Sequence, residues 1–131
     1  MKELSTVMMW KDAATACLGI LLVFALPATG AMRTTSCQGR SGPVAQGRCI
    51  AVSPRLGDCT ACHAIAGTSA DGTVGPALRD IRQVFPNKTA LFAEIYDPTI
   101  MTPRTAMPPF GKYRILSRAQ IHKLVDFLWT L

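Results

Sequence analysis

The segment that most restricts this chain is Cys59-Thr60-Ala61-Cys62-His63, two thiols three positions apart followed at once by an imidazole. One turn of helix brings residues i and i+3 to the same side, so both sulfurs point one way and the histidine projects beside them. This is the spacing of covalent haem attachment, in which the thiols add across the porphyrin vinyl groups and the imidazole is directed at the iron. A redox dithiol, a structural disulfide and half of a zinc site use similar pairs. A zinc site wants a second Cys/His pair, and Cys37, Cys49 and His122 stand at unsuitable spacings. A dithiol oxidoreductase wants strands in a βαβ setting, and the hydrophobic pattern offers none. The expectation is one haem c, held covalently by Cys59 and Cys62, with His63 on the iron.

A chain of 131 residues has room for one domain. Residues 13–26 are an apolar run followed by Pro27 and small residues through Ala31. The run suits a signal-peptide core and falls short of the roughly 20 residues that cross a bilayer. Residues 1–31 therefore read as a cleaved signal peptide, with an uncleaved anchor as the alternative. Either sends the rest out of the cytoplasm. Lys2 and Lys11 are offset by Glu3 and Asp12, so the whole net charge of +6 belongs to the remainder. Residues 32–43 are small, polar and turn-forming and read as a flexible N-terminal arm with little core to offer. Residues 44–131 are the expected domain.

Within it, Val44 to Val52 predicts a short helix ended by Pro54, and Asn87 is a plausible cap for a helix over Lys88 to Tyr96 with Leu91, Phe92 and Ile95 on one face. Ser117 and Gln120 form a capping-box pattern ahead of an apolar stripe at Ile121, Leu124, Val125 and Leu128. Pro98, Pro103, Pro108 and Pro109 punctuate a loop running to Gly111, a length that is odd in a small domain unless it wraps something. The predicted class is all-α: a few helices and long loops around one covalent haem. A domain this small often needs such a staple.

Two loops fit the haem reading. Gly75-Pro76 follows His63 by about a dozen residues, and the Pro76 carbonyl is the candidate acceptor for the His63 Nδ1 proton, which would turn Nε2 toward iron. Met107, stiffened by Pro108 and Pro109, is the candidate second axial ligand, ahead of Met101 and of His122, whose expected place is the surface. Iron held by both His and Met has no open position for substrate, so electron transfer follows. Arg104, Lys112, Arg114, Arg118 and Lys123 suggest a basic patch that steers an acidic partner or an anion, or else a merely solvated face. Nucleic acid is not an expected partner, and neither is the membrane once the leader is cut. Cys37 and Cys49 are twelve apart in an exported chain; they form a disulfide, stay free, or pair with a partner.

Several segments in order resemble one family. These are GDCTACHAI at 57–65, VGP at 74–76, IYDPT at 95–99, MPPFG at 107–111, RILS at 114–117 and VDFLWTL at 125–131. Together they resemble SoxX, the monohaem cytochrome subunit of the SoxAX complex of bacterial sulfur oxidation. The resemblance covers about residues 47–131. It implies a small class I cytochrome c-like fold and a periplasmic heterodimer with a SoxA-type cytochrome. It further implies an enzyme subunit, the electron-transfer part of an L-cysteine S-thiosulfotransferase that couples thiosulfate to a cysteine of a SoxYZ-type carrier. Electrons then pass to a downstream acceptor, and the chain has no catalytic base or nucleophile of its own. The ligands carried over are Cys59, Cys62, His63 and Met107. Cys49 and Pro54 depart from the family, which usually continues a longer N-terminal helix there. The rival functions are a free-standing soluble electron carrier and, more distantly, a haem sensor.

Overall fold

The structure is a computed structural model and describes residues 37–131; the expected signal peptide and the first residues of the arm lie outside this range. Among the described residues four helices form: α1 (Pro43–Val52), α2 (Ile81–Val84), α3 (Lys88–Tyr96) and α4 (Arg118–Leu128). Short 3-10 turns occupy Cys37–Gly39, Cys59–Ala61 and Pro98–Ile100.

The ends of the helices follow local chemistry. Pro43 occupies the first turn of α1, where its missing amide costs nothing, and Ser53 leaves the helix in extended geometry ahead of Pro54. The Asn87 side chain accepts from the Ala90 amide at 2.9 Å and starts α3. At α4 the capping box is complete: Gln120 N–H donates to Ser117 Oγ at 3.2 Å and Ser117 N–H donates to Gln120 Oε1 at 2.8 Å.

Helix α4 sends Ile121, Leu124, Val125 and Leu128 into the core, and also Phe127 on the flank of that stripe. Its neighbour is α1, and Gly47 is what lets the two approach: a Cβ there would overlap the Lys123 carbonyl and strike Phe127. Helix α1 thus packs on the last helix. Arg48, one residue on, lies 5.9 Å from the Phe127 ring and donates to the Gly67 carbonyl. Ile50 and Ala51 complete the buried face of α1. Burying a side chain such as Ile50 or Ile121 stabilises by roughly 1.5–3 kcal/mol, so this crossing is a main source of stability.

The structure differs from expectation in three places. The helices carry the expected class, but a short ladder that the sequence did not announce joins them: β1 (His63–Ala64) pairs antiparallel with β2 (Asp71–Thr73), His63 opposite Thr73. Two strands this short satisfy the backbone of the loop leaving the Cys-x-x-Cys turn, a need that no hydrophobic period announces. The second difference lies in residues 37–43, expected to be a flexible arm. Cys37 and Cys49 form a disulfide with Cα atoms 5.7 Å apart, and Cys37 is 5% exposed, part of the core. The tether, invisible to composition, supplies the order that the turn-forming residues lack. Third, Phe92 does not share the buried position of Leu91 and Ile95; it stacks on His122 at 4.6 Å and lies under Arg118 at 5.0 Å.

Candidate haem site

One cavity of about 710 Å³ collects the residues singled out by sequence. Cys59, Cys62, His63, Pro76 and Met107 all line it, with Leu78, Ile81, Phe85, Leu91, Ile95, Phe110, Leu124 and Leu128 as apolar walls. The walls come from the α2, α3 and α4 faces that the helix periodicity turns inward. A mostly apolar hollow of this size with a few convergent polar groups is what a prosthetic group requires.

Cys59 opens the 3-10 turn and Cys62 follows it, both as free thiols. Burial pushes the Cys59 thiol up to about 11, with the nearby Asp58 and Cys62 adding to the rise. A thiol so held is neutral near pH 7 and a poor partner for disulfide exchange, while Cys37 and Cys49 are already bonded to each other. Asp58, at φ 45°, adopts the left-handed conformation that swings the chain into the turn.

His63 is fixed from two sides. Its Nδ1 lies 2.7 Å from the Pro76 carbonyl oxygen. A carbonyl can only accept, so Nδ1 carries the proton and Nε2 keeps a free lone pair for a metal. Gly75 presses on the ring, and a Cβ at that position would overlap the imidazole. The segment is held alongside by Gly75 N–H donating to the Cys62 carbonyl and Leu78 N–H donating to the Ala64 carbonyl, both at 2.8 Å.

Met107 is half-buried, and its amide donates to Thr105 Oγ1 at 3.1 Å. The loop carrying it is closed at its base. Gly111 and Lys112 amides both donate to the Tyr96 carbonyl at 3.1 Å, and Lys112 Nζ meets Asp97 Oδ2 at 2.8 Å. The Thr99 amide donates to Asp97 Oδ1 at 3.2 Å, and the Thr99 hydroxyl donates to the same oxygen. Hydrogen bonds from Lys112 and Thr99 hold the Asp97 carboxyl below the usual carboxylate range, and Asp97 in turn raises Lys112. The proline-rich loop therefore has a polar clasp at its neck and Met107 in the cavity wall.

The rival ligands lie elsewhere. Met101 is 77% exposed and does not line the cavity. His122 sits on exposed helix surface against Phe92. The basic patch is partly spoken for, since Lys112 is paired with Asp97 and Arg118 lies over Phe92 and Tyr96. None of the five basic residues reaches the cavity, whereas Arg79, not singled out in the sequence, does. Glu94 and Thr105 also line it and were missed. For Glu94 the signal was present, because it stands three positions after Leu91 on the same helical face.

Among the described residues no three His, Cys, Asp or Glu side chains converge as a metal cluster, so the half-zinc-site alternative finds no second half. The cavity fits a haem: two reduced thiols at its edge, an imidazole with its far nitrogen free, a thioether in the wall and apolar surfaces elsewhere.

A small helical domain built around such a cavity defines a c-type cytochrome domain with a class I cytochrome c-like fold. The chain belongs to the family described as cytochrome c oxidase, cbb3-type, subunit III, which it matches over residues 44–128. That family implies covalently bound haem c and a function in electron transfer. A comparison with curated proteins finds no match. Among the described residues no helix is long and apolar enough to cross a membrane.

Proposed function

We propose that the chain works as the electron-transfer subunit of a SoxAX-type complex in the periplasm, where Cys59 and Cys62 would hold one haem c covalently and His63 and Met107 would bind its iron. The haem, when bound, supplies a one-electron iron couple. The chain's residues do the rest: Pro76 orients the imidazole, the Asp97–Lys112 clasp holds the loop of Met107, and the apolar walls exclude water. The observation that carries the electron-transfer reading is the gathering of Cys59, Cys62, His63 and Met107 on one apolar cavity.

The SoxAX assignment rests on the ordered segments, each of which has a structural task. IYDPT supplies the clasp carboxylate, MPPFG the thioether and the buried Phe110, and VDFLWTL the cavity wall at Leu128. Val74 and Val84 are 71% and 67% exposed at the cavity edge, and in this reading they are side chains that a partner subunit would cover. In this role the chain takes electrons released as thiosulfate is coupled to the cysteine of a SoxYZ-type carrier, and passes them to a downstream acceptor.

The second reading is a free-standing electron carrier, which rests on the same cavity and family match, since both speak to electron transfer and neither to a particular complex. Purification from the native host under mild conditions separates the two. Co-elution with a second cytochrome and reduction that depends on thiosulfate plus carrier protein is expected. A single-haem monomer that stays oxidised in that mixture would overturn the SoxAX role and leave the carrier.

A further inference from the structure

The cavity has a feature that holding a haem does not require. Leu91, Glu94 and Ile95 share the face of α3 that lines it, and Leu91 and Ile95 are each 3% exposed. Glu94, half-buried, is the ionisable residue on that face. Other acids near α3 have found cations, Asp126 with Lys88 and Asp97 with Lys112. Glu94 has no such ion pair or hydrogen bond among the described residues. Burial holds its carboxyl above the usual range.

The other ionisable groups facing the cavity are Asp58, Cys59, Cys62, His63 and Arg79. From α4, Arg118 and His122 contact Phe92 or Tyr96, and Asp126 takes Lys88. Neither these nor Lys123 and Lys112 line the cavity.

We propose that Glu94 is a redox-linked proton site, taking a proton from solvent when an electron reduces the iron held in this cavity and releasing it when the electron leaves. The inference rests on the reading of the cavity as a one-electron haem site. The balance is one electron, delivered by an external one-electron donor, with up to one proton bonded to a Glu94 carboxylate oxygen; both leave on oxidation. The physical cause is Coulombic. Reduction removes a unit of positive charge from an apolar, weakly screening cavity, so the ionised carboxylate loses an attraction and binds a proton more tightly. Linkage is reciprocal, so ionised Glu94 lowers the reduction potential. Each tenfold difference in proton affinity between the two redox states corresponds to about 59 mV for a one-electron couple.

The test compares midpoint potentials against pH for the haem-loaded protein and its Glu94→Gln variant. The wild-type potential is expected to fall with rising pH above the ordinary carboxylate pKa of about 4.3, and the variant to stay near the wild-type low-pH value throughout that range. Superimposable profiles would overturn the proposal. Carbon-13 NMR of glutamate-labelled wild type measures the same quantity without a substitution. A Glu94 proton affinity that is higher in the reduced state supports the site, and one that is equal in both states overturns it. A wild-type wave that is flat with pH defeats the Glu94 proposal alone, whereas a folded wild type with no one-electron wave defeats the haem reading beneath it as well.

Discussion

Removing the Cys37–Cys49 bridge by a Cys37→Ala/Cys49→Ala double substitution should weaken the domain without touching its cavity. The two cysteines are twelve residues apart, and neither lines the cavity. Closing a loop of that length restricts the unfolded chain by about 3 kcal/mol in the chain-entropy account. The native side adds to the loss, because Cys37 is 5% exposed and its stretch has no helix period to hold it once untethered. For a domain of this size each 1 kcal/mol is worth about 4–8 °C in Tm, so a fall of about 12–24 °C is expected. Urea unfolding followed by haem absorbance and far-ultraviolet dichroism is the assay. The midpoint should drop and the m-value rise, since the unfolded state is freer to expand; the visible spectrum of the folded protein should not change. A double variant within about 0.5 kcal/mol of the parent, with the same m-value, would refute the idea that the bridge orders residues 37–43.

Three further outcomes follow from the packing and the clasp. Gly47→Ala gains about 1 kcal/mol of helix propensity, but its Cβ meets the Lys123 carbonyl, a backbone atom that cannot rotate away. Strain of about 1–3 kcal/mol should win, and a chemical-denaturation midpoint at or above wild type would contradict it. Because the Asp97 carboxyl is held below its ordinary range, the clasp's contribution is full above the unfolded value of about 3.9 and is lost as pH falls through the lower folded value. Raised Lys112 acts at the other end, contributing below its unfolded pKa and losing that contribution as pH climbs through the folded one. Wild type should therefore be more stable than Asp97→Asn near neutrality, with the gap closing in acid; a gap constant down to about pH 2 would contradict the pairing. Met107→Ala should abolish the thioether-to-iron charge-transfer absorption of the oxidised protein while haem stays attached, and an unchanged spectrum would remove Met107 from the ligands.

What the sequence announced is what short-range rules govern. The last helix was legible because its capping box and its stripe from Ile121 to Leu128 lie within a dozen residues, and α3 because Asn87 caps it. The Cys-x-x-Cys-His turn carries its chemistry in five consecutive positions. The Pro76 carbonyl was within reach of reasoning because a metal-bound imidazole needs its other nitrogen occupied. What escaped depends on distant partners. Composition gives Cys37 an arm's surroundings, and only its pairing with Cys49 makes it core. Phe92 fits the inward face of α3 by count, yet His122 and Arg118 of α4 offer it an aromatic and cationic seat. The clasp of Asp97 with Lys112 spans the whole proline loop, so no local pattern reveals that the loop is closed at its neck.

The most direct measurement is the intact mass of the mature, exported protein under denaturing conditions. Addition of two thiols across two vinyl groups releases no atoms, so the mass should equal that of the polypeptide plus one whole haem, with Cys59 and Cys62 refusing alkylation. A mass equal to the amino acids alone, with both thiols open to reagent, would contradict the account at its root.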